Sequence, residues 1–440
     1  MRNILRKFVV NILTLEARVI LSRCKPVIIA VTGSIGKTTT KDLIYSILSS
    51  KLSIKKNNKS YNSEFGVPLT ILGLESAWRS PLGWILNILS GLLKAITYYL
   101  APNTFPKYLV LEVGADHPED IKRLVRWLRP EMGVVTGLGN EVPVHVEFFK
   151  NIDELVEEKS NLLRALSRDG QAIVNRDDAR AWEMRSESKA PVTGYGFSPG
   201  SDILGSDLHI TYSNSGEPTG MVFRLDYDGK SVPVRLSGVL GKGSAYGALG
   251  AATVGLELGI NLIQISEALS MHPFAPGRMR ILAGINGAVL IDDTYNSSPA
   301  AVRMALDTLH EIKSETGFPS RKIAVLGDML ELGEYSEREH KKVGEWLRGV
   351  ADVIVCVGPL AHIMGESALV DGCEKRQVHF FATSTEAGDF LKTFVQPGDT
   401  ILLKASQSIR LERATELLLA DPSLASSLLV RQEKEWKSKK

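Results

Sequence analysis

The stretch AVTGSIGKTTTKD, residues 30–42, constrains the fold of this chain more than any other part of the sequence. It follows the apolar run 27–31, which is typical of a buried strand, and it leads into apolar residues at helical spacing. A strand, a glycine turn and a helix in this order direct backbone amides and a helix N-terminus at one point. Lys37 can reach phosphate oxygens there, and Thr38 offers a hydroxyl to Mg²⁺.

We therefore predict a phosphate-binding loop at residues 33–38. The loop is a shortened variant, because Val31 stands where the general pattern has its first glycine. The alternative is an ordinary glycine turn with a surface lysine, but the strand before the loop and the helix after it favour phosphate binding.

Composition limits the classes of protein to which the chain can belong. Its 440 residues are 44% hydrophobic and 23% charged, which fits a globular protein of two or three domains. The formal net charge of +2 argues against bulk nucleic-acid binding. Cys24, Cys356 and Cys373 are far apart and have no metal-binding spacing, which favours a reducing, cytoplasmic compartment.

Beyond residue 108 the chain alternates strand-like and helix-like stretches, which is typical of doubly wound α/β domains. The strand-like stretches are 108–115, 132–139, 171–178, 322–328, 351–358, 378–383 and 399–406. Residues 195–240 instead predict antiparallel hairpins, and 272–278 have the Pro and Gly residues of a domain boundary. We predict an α/β fold: a central parallel-sheet domain with a phosphate-binding loop and a hairpin region, then a Rossmann-like C-terminal domain.

Two apolar segments flank the phosphate loop along the chain. Residues 1–23 predict a basic amphipathic helix, and Glu16 and Arg18 interrupt the apolar run that a signal peptide would need. Residues 84–100 predict a helix with a wide apolar face, which is too short for a confident membrane span. Two interpretations stay open for each helix: packing against the protein or a partner, or peripheral association with a membrane.

Three further residues are candidates for chemistry. Glu112 ends an apolar strand, where carboxylates of parallel sheets meet bound nucleotides and can ligate Mg²⁺. His145 follows the next strand, and Lys159 lies on the helix after it. Taken singly, such a histidine is more often a surface or capping residue, and such a lysine is usually solvated.

Several stretches together resemble one enzyme family, in order from about residue 25 to 420. They are TGSIGKTTTK, YNSEFGVPLT, LEVGADHPEDI, HVEFFKN, EEKSNLL, GRM, IDDTYNSSPAAVRMAL, LGDMLELGEYSEREH and ILLKASQSIRLE. These resemble the Mur ligases, the ATP-dependent amide ligases of peptidoglycan synthesis. DDTYNSSP and GDMLELGEYSEREH are specific to the MurF type, which adds D-alanyl-D-alanine to a UDP-N-acetylmuramoyl-tripeptide.

The resemblance implies a reaction and its participants. ATP phosphorylates a substrate carboxylate, an amine attacks the resulting acyl phosphate, and phosphate leaves. Because the charges that develop are on anionic oxygens, positioning and electrostatics dominate. The implied substrates are a muropeptide precursor and D-alanyl-D-alanine, and the implied cofactors are ATP and two Mg²⁺ ions.

The resemblance also implies a role for each matching residue. The nucleotide would contact Gly33, Ser34, Gly36, Lys37, Thr38, Thr39, Asn62, Arg278, Asp293 and Asn296. The metal ligands would be Thr38, Glu112, His145 and Lys159, with Lys159 carrying a carbamate whose oxygens replace the repelling ammonium. Lys37, Glu112, His145 and Lys159 form the implied catalytic set, and Lys404 and Ser406 would lie near the incoming amine.

The sequence departs from the MurF pattern in three places. Gly243 and Ser244 stand where the family has a His-Asn pair, with Gly247 near a later asparagine position, and Ala405 replaces the glycine of a Lys-Gly-Ser stretch. The segment between Pro68 and Glu112 holds extra sequence with the apolar helix. Only 32 residues precede Gly33, so we expect the UDP-sugar-binding domain of MurF to be absent.

These observations define the expected domains. They are a helix at 1–24, a central ATP-binding domain at 25–272 with an insertion at about 81–101, a C-terminal domain at 273–425, and a basic, frayed tail at 426–440. Two other functions stay open: a Mur-type amide ligase with another substrate, folate-like or lipid-linked, and a non-catalytic scaffold. The intact Lys37, Thr38, Glu112, His145 and Lys159 argue against the scaffold.

Overall fold

The computed structural model describes residues 2–58, 61–78, 80–313 and 321–437, and only the backbone of residues 2–4. The first half of the chain builds one nine-stranded sheet. Its strands are β1 (Val27–Thr32), β2 (Ile54–Lys56), β3 (Tyr108–Glu112), β4 (Met132–Val135), β5 (Gln171–Asn175), β6 (Val192–Gly196), β7 (Ile203–Tyr212), β8 (Pro218–Tyr227) and β9 (Lys230–Ser237). Its helices are α1 (Arg2–Cys24), α2 (Lys37–Ser49), α3 (Gly66–Leu72), α4 (Pro81–Leu100), α5 (Asp120–Leu128), α6 (Ile152–Arg164), α7 (Ala179–Glu183), α8 (Lys242–Glu257) and α9 (Leu262–Ser270).

The strand order of this sheet is β2-β3-β1-β4-β5-β6-β7-β8-β9. The first seven strands in this order, including β1, pair in parallel with their neighbours. Strands β7, β8 and β9 form an antiparallel meander at one edge. The predicted hairpins therefore extend the central sheet rather than forming a separate unit. Strand β1 lies between β3 and β4, so the loop after β1 opens at a topological switch point, where α/β sheets bind ligands.

The second half builds a six-stranded sheet of order β10-β11-β15-β12-β13-β14. Its strands are β10 (Arg280–Ala283), β11 (Val289–Asp293), β12 (Lys322–Gly327), β13 (Val353–Val357), β14 (Val378–Phe381) and β15 (Thr400–Lys404). Its helices are α10 (Pro299–Glu311), α11 (Ser336–Trp346), α12 (Pro359–Val370), α13 (Ser384–Phe394), α14 (Glu412–Leu418), α15 (Ala425–Leu428) and α16 (Lys434–Lys437). Only β10 pairs antiparallel, so the predicted α/β class is confirmed in both halves.

Residues 431–437 pack against the rest of the protein, so the prediction of a frayed tail is wrong for them. The Arg431 side chain is buried, with Nη1 3.0 Å from a carboxylate oxygen of Glu412 and 3.0 Å from the carbonyl oxygen of Thr294. The Trp436 ring packs edge-on against Trp78, at 6.4 Å between ring centroids. A buried ion pair and an aromatic contact therefore hold a segment that its composition alone marks as solvated.

Helices α1 and α4 pack side by side and run parallel. Near one end, the Arg6 guanidinium lies over the Phe65 ring, which contacts Trp84 of α4. Near the other end, Arg23 Nε donates to the Tyr99 carbonyl oxygen at 3.1 Å. Helix α1 buries Leu13, Ala17 and Ile20. The pair is thus part of the folded protein, and among the described residues no helix has the length and apolar character to cross a membrane.

Most of the apolar face of α4 points away from the protein, so its burial in the chain's own core is wrong for that part. Trp84, Ile88 and Tyr98 of the same helix do pack against the core. The side of α4 that packs carries Gly91 and Ala95, which allow close approach. Its polar residues also point inward: Asn87 Nδ2 donates to the Glu75 carbonyl oxygen and Lys94 Nζ to the Gly73 carbonyl oxygen, each at 2.8 Å. Periodicity had separated the two faces correctly but could not tell which one packs.

The Glu16 carboxyl lies where α1 and α4 touch. A Cβ on Gly91 would come within 2.0 Å of Glu16 Oε2, so only glycine leaves room for this side chain. Within the described residues, Oε2 has no hydrogen-bond partner. Burial raises the pKa of Glu16 from 4.5 to about 7. The folded state therefore disfavours the charged carboxylate.

We expect the Glu16→Gln variant to be more stable than the parent at pH 8, by up to about 3 kcal/mol. Below pH 4.5 the carboxyl is mostly protonated in both the folded and the unfolded state, so its ionisation does not lower the free energy of unfolding. As the pH rises toward 7, the unfolded chain ionises first, so the free energy of unfolding falls. Urea unfolding between pH 5 and pH 8 measures this decline, which should be flatter in the variant.

The matched control is Glu64→Gln, because Glu64 forms an exposed ion pair with Arg6 at 3.3 Å. Exposed pairs of this kind contribute at most about 1 kcal/mol, so this variant should keep the parent's pH dependence. An equally steep decline in Glu16→Gln would show that another group causes the loss of stability.

Candidate active site

The phosphate loop connects β1 to α2 in a conformation that requires glycine. Gly33 has φ +145°, and a Cβ there would lie 2.1 Å from Thr136 Oγ1. Gly36 has φ +83° and precedes the first residue of α2. The amides of Ser34 and Ile35 both donate to the Gly137 carbonyl oxygen, at 2.8 and 2.9 Å. The amides of the first turn of α2, which have no acceptor within the helix, remain as the donors that can face an anion.

Thr38 and Glu112 are adjacent at the end of β3. Thr38 Oγ1 donates to Glu112 Oε2 at 2.8 Å, and Asn62 Nδ2 donates to Glu112 Oε1 at 3.1 Å. The Glu112 side chain is almost fully buried. Asn57 fixes its backbone, accepting from the Glu112 amide at 3.0 Å and donating to its carbonyl oxygen at 3.2 Å. Lys41 Nζ in turn donates to the Asn57 carbonyl oxygen at 2.8 Å.

The C-terminal half reaches into the same site. Arg278 Nη2 donates to Thr38 Oγ1 at 3.2 Å, and the guanidinium lies 3.9 Å from the centroid of the Tyr295 ring. Lys404 Nζ donates to Asp293 Oδ2 at 2.6 Å and to the Asn296 carbonyl oxygen at 3.0 Å. Both members of the Lys404–Asp293 pair are buried. The two predicted residues therefore bind each other in this structure.

His145 lies between the two halves. Its Nδ1 is 2.7 Å from Glu331 Oε2 and its Nε2 is 3.6 Å from Asp116 Oδ1. The His145 imidazole at this contact lowers the pKa of Glu331. His145 and Glu331 both have positive φ, of 68° and 64°, so each turn is shaped to bring its side chain to this contact.

Lys159 projects from α6 toward the underside of the phosphate loop. Its Nζ donates to the Gly33 carbonyl oxygen at 3.2 Å, and the side chain is 2% exposed. Burial, and then the positive charge of Lys37, lower the pKa of Lys159 to about 7. Burial also lowers the pKa of Lys37, while the Glu112 carboxylate acts in the opposite direction. A substantial fraction of neutral amine is therefore present at Lys159 near neutral pH.

A cavity of about 270 Å³ joins these groups. Twelve of the predicted site residues line it: Ser34, Gly36, Lys37, Thr38, Thr39, Asn62, Glu112, His145, Arg278, Asp293, Asn296 and Lys404. Gly33, Lys159 and Ser406 are not among its lining residues. The Ser406 hydroxyl accepts from the Leu330 amide at 2.9 Å, so it supports the segment that carries Glu331.

Sequence reasoning did not select five residues that matter to the geometry: Lys41, Asn57, Asp116, Tyr295 and Glu331. Asp116 and Tyr295 lie inside motifs quoted above, so the match of the surrounding residues could have identified them. Lys41 falls one helical turn after Lys37, on the buried side of α2. Glu331 also lies inside a quoted motif, LGDMLELGEYSEREH, whereas Asn57 had no comparable signal.

A second cavity of about 170 Å³ continues past the glycine turn, between α2 and α8. Gly36 and Gly243 line both cavities. Tyr195, Tyr246 and Asp177 line the second, and Tyr246 Oη donates to Asp177 at 2.8 Å. Ser244, one of the positions where the sequence departs from the MurF pattern, donates its hydroxyl to the Leu240 carbonyl oxygen at 3.2 Å. A Cβ on Gly247 would meet Thr39 at 3.2 Å, so this glycine permits the close packing of the two helices.

Comparison with known families gives two matches. The Mur ligase middle domain matches residues 31–80 and 93–255, and the Mur ligase glutamate ligase domain matches residues 277–407. Together these segments span well over half of the chain. The chain belongs to the Mur ligase family. Residues 81–92, which form the first half of α4, fall in the gap of the middle-domain match.

Within the family the chain is MurF-like. The UDP-N-acetylmuramoyl-tripeptide–D-alanyl-D-alanine ligase of Mycobacterium leprae (strain TN) is 30% identical over 417 residues, covering 90% of this chain and 74% of that protein. The crystal structure of MurF from Acinetobacter baumannii matches with a TM-score of 0.74 at 26% identity, covering 92% of this chain and 79% of that one. MurF from Thermotoga maritima in complex with ADP gives 0.73 at 26% identity, covering 93% and 83%.

Proposed function

We propose that this Mur ligase is an ATP-dependent carbon–nitrogen ligase of peptidoglycan synthesis that joins D-alanyl-D-alanine to a muropeptide precursor. The relatives named for this activity and the MurF structures align along about nine tenths of the chain. The reaction forms an acyl phosphate and ADP from the carboxylate and ATP, and the amine then displaces phosphate to give the amide.

One observation carries the proposal: groups from both halves converge on Thr38. Its hydroxyl contacts Glu112 at 2.8 Å from one side and Arg278 at 3.2 Å from the other. A carboxylate for a metal ion and a guanidinium for a phosphate oxygen thus flank one hydroxyl at a helix N-terminus. Phosphoryl transfer requires such positioned charges more than it requires covalent chemistry.

Each charged group has a role in this scheme. Lys37 and the first-turn amides of α2 would bind the β- and γ-phosphates, since the amides of Ser34 and Ile35 are already bonded to Gly137. Arg278 would stabilise the charge on the transferred phosphoryl group. The second cavity would take the nucleoside end of ATP, because it continues from the same glycine turn. Lys404 would lie near the incoming amine substrate, held by Asp293.

The residues around Thr38 fit one Mg²⁺ ion. A carboxylate and a hydroxyl lie side by side at the phosphate loop, and Mg²⁺ completes its shell with substrate phosphates and water. Within the described residues, no three His, Cys, Asp or Glu side chains form a ready metal cluster. The second ion would therefore need His145, oxygens of the substrates or water, and the carbamate on Lys159. Bound Mg²⁺ supplies charge neutralisation for the phosphate and acyl oxygens.

The environment of Lys159 supports a carbamate there. Its neutral amine can attack CO₂, forming a nitrogen–carbon bond and releasing one proton. A pKa of about 7 leaves the neutral amine available, whereas an exposed lysine holds its proton. The carbamate would also remove one of two positive charges from the space that Lys37 and Lys159 share. The nearby Gly33 carbonyl can accept from the carbamate N–H.

The reaction is proposed to take place in the cytoplasm, at the inner face of the membrane. ATP is available in that compartment, and the cysteines Cys24, Cys356 and Cys373 are all free thiols, as a reducing environment requires. Association of the chain with the membrane would be peripheral, through α1 and α4.

A screen of acceptors with ADP release as the readout tests the proposal. We expect ADP and phosphate only when ATP, Mg²⁺, UDP-N-acetylmuramoyl-tripeptide and D-alanyl-D-alanine are all present, with the amide product detected by mass spectrometry. A lipid-linked muropeptide and a folate with glutamate form the comparison arms. ADP release with folate and glutamate alone, or none with any acceptor, would contradict the proposed function.

A further inference from the structure

The exposed apolar side chains of the protein are concentrated on two helices. Nine of them lie on α4 and are between 49% and 77% exposed: Leu82, Ile85, Leu86, Leu89, Leu92, Leu93, Ile96, Tyr99 and Leu100. Three more, Leu5, Phe8 and Leu15, lie on α1. Seven others are scattered over the rest of the described chain. Single exposed apolar residues are normal, but a continuous stripe of nine on one helix marks a binding surface.

The two helices form one surface with an apolar centre and a basic edge. Helix α1 contacts α4 at Glu16 and Arg23, and it exposes Lys7 and Arg18 on another side. At 3.6 residues per turn, the exposed apolar residues of α1 lie between these two sides. The exposed apolar arc of α4 borders α1 at Tyr99, where the Arg23 guanidinium lies 5.6 Å from the ring centroid. We call this combined surface the α1–α4 face.

The charge of the α1–α4 face has a single sign. Helix α1 carries five basic residues and one acidic residue, Glu16, which is buried, and α4 carries one lysine and no acid. Arg6 is paired with Glu64, but Lys7 and Arg18 are exposed and have no recorded ion pair among the described residues. An apolar helix surface rimmed by basic groups is complementary to a bilayer that contains anionic lipid.

We propose that the α1–α4 face docks the protein on the surface of an anionic lipid bilayer. Helix α4 would lie in the plane of the interface with its leucines among the acyl chains, and Lys7 and Arg18 would contact headgroup phosphates. A second copy of this chain fits less well, because a two-fold interface would bring the same basic edges toward each other. The inference deepens the proposed location but does not depend on the proposed reaction.

The α1–α4 face is also linked to the active site through one short segment. The segment 61–66 connects the two: Asn62 contacts Glu112, Glu64 pairs with Arg6, and the Phe65 ring contacts Trp84 at 5.4 Å between centroids. The beginning of each helix thus lies beside the segment that carries a cavity residue. Docking would hold the segment 61–66 close to the lipid surface.

Co-sedimentation of the full chain with vesicles tests the inference. We expect binding to phosphatidylcholine vesicles that contain phosphatidylglycerol, and weaker binding in high salt or to phosphatidylcholine alone. The double variant Leu89→Glu with Leu93→Glu should bind at least about tenfold more weakly, because two leucines leave the acyl region. The matched control, Ile263→Glu with Met271→Glu, changes two exposed apolar residues elsewhere and should bind like the parent.

The basic edge is tested separately with Lys7→Glu and Arg18→Glu together. Loss of two headgroup contacts should weaken binding to the anionic vesicles at least about tenfold and leave the weak binding to phosphatidylcholine unchanged. The control Lys230→Glu reverses an exposed charge on the far edge of the sheet and should have no effect. Circular dichroism would check that each variant keeps its helix content.

Three results would overturn the inference. One is a protein that stays in the supernatant with anionic vesicles at low salt. Another is a leucine double variant that binds like the parent. The third is a stable dimer by light scattering that dissociates in the leucine double variant, without vesicle binding, which would assign the surface to a second copy. Ligase activity, measured without vesicles, is independent of all three results.

Discussion

Replacing Lys37 by methionine or Glu112 by glutamine is expected to lower the rate of ligation at least about 100-fold, equivalent to ~3 kcal/mol of transition-state stabilisation. Lys37 lies in the phosphate loop itself and lines the cavity, and the Glu112 carboxylate is held by both Thr38 and Asn62. Both substitutions keep side-chain volume and remove one charge. Initial rates of ADP release with saturating acceptor would measure the loss, and alanine variants at the same positions should lose at least as much.

The fold should survive these substitutions, because neither charge is required for packing. Burial lowers the pKa of Lys37, which shows that the folded state disfavours its charge. The matched control is Lys51→Ala, which removes an exposed lysine just after α2 and should keep full activity. A variant that folds normally and retains more than about one hundredth of the parent rate would remove Lys37 or Glu112 from the catalytic set.

The elements nearest the phosphate loop were predictable because local rules determine them. A run of β-branched residues, two glycines with positive φ and a helix start identified β1, the loop and α2 without tertiary information. Glu112 followed from the same logic, since the carboxyl ends of neighbouring parallel strands meet at one edge. The MurF-type motifs then added Arg278 and Asp293, which no local pattern in the C-terminal half would have selected.

Residues that act across long sequence separations were not predictable. Glu331 meets His145 only because the two halves pack together, and the motif that contains Glu331 does not by itself indicate this partner. Asn57 is one polar residue after a short strand, yet it binds both backbone groups of Glu112. For Ser406 the motif match stays a prediction: its hydroxyl accepts from the Leu330 amide, and the residue does not line the cavity.

Helix α4 shows why a periodic pattern leaves the direction of packing undecided. An apolar stripe normally faces the core, because burying it contributes most to stability. Here the inward side carries Trp84, Ile88 and Tyr98 together with small residues. Beside them, Asn87 and Lys94 satisfy carbonyl groups of the chain. Only the three-dimensional contacts with α1 reveal that the leucines remain outside.

Replacing Lys159 by alanine is expected to lower ligation at least about 100-fold, and short carboxylic acids should restore at least about a tenth of the lost rate. The lysine is 2% exposed, so its removal leaves a space inside the protein that acetate or propionate would have to fill. A carboxylate there would supply the oxygen ligands that the carbamate supplies in the parent. The same acids should not raise the activity of the parent or of Lys37→Met, which serve as controls.

Carbon-13 NMR with labelled bicarbonate gives a test that does not depend on activity. The parent should show a carbamate resonance that the Lys159→Ala variant lacks, because the buried amine has a pKa of about 7 and is partly neutral near that pH. Lys41 is the internal comparison: burial lowers its pKa as well, but the Asp42 carboxylate, with an oxygen 3.4 Å from Nζ, opposes that shift, and Nζ also donates to the Asn57 carbonyl oxygen. A resonance that persists in Lys159→Ala, or full activity of that variant without added acid, would show that Lys159 carries no carbamate in this enzyme and serves only to support the Gly33 carbonyl.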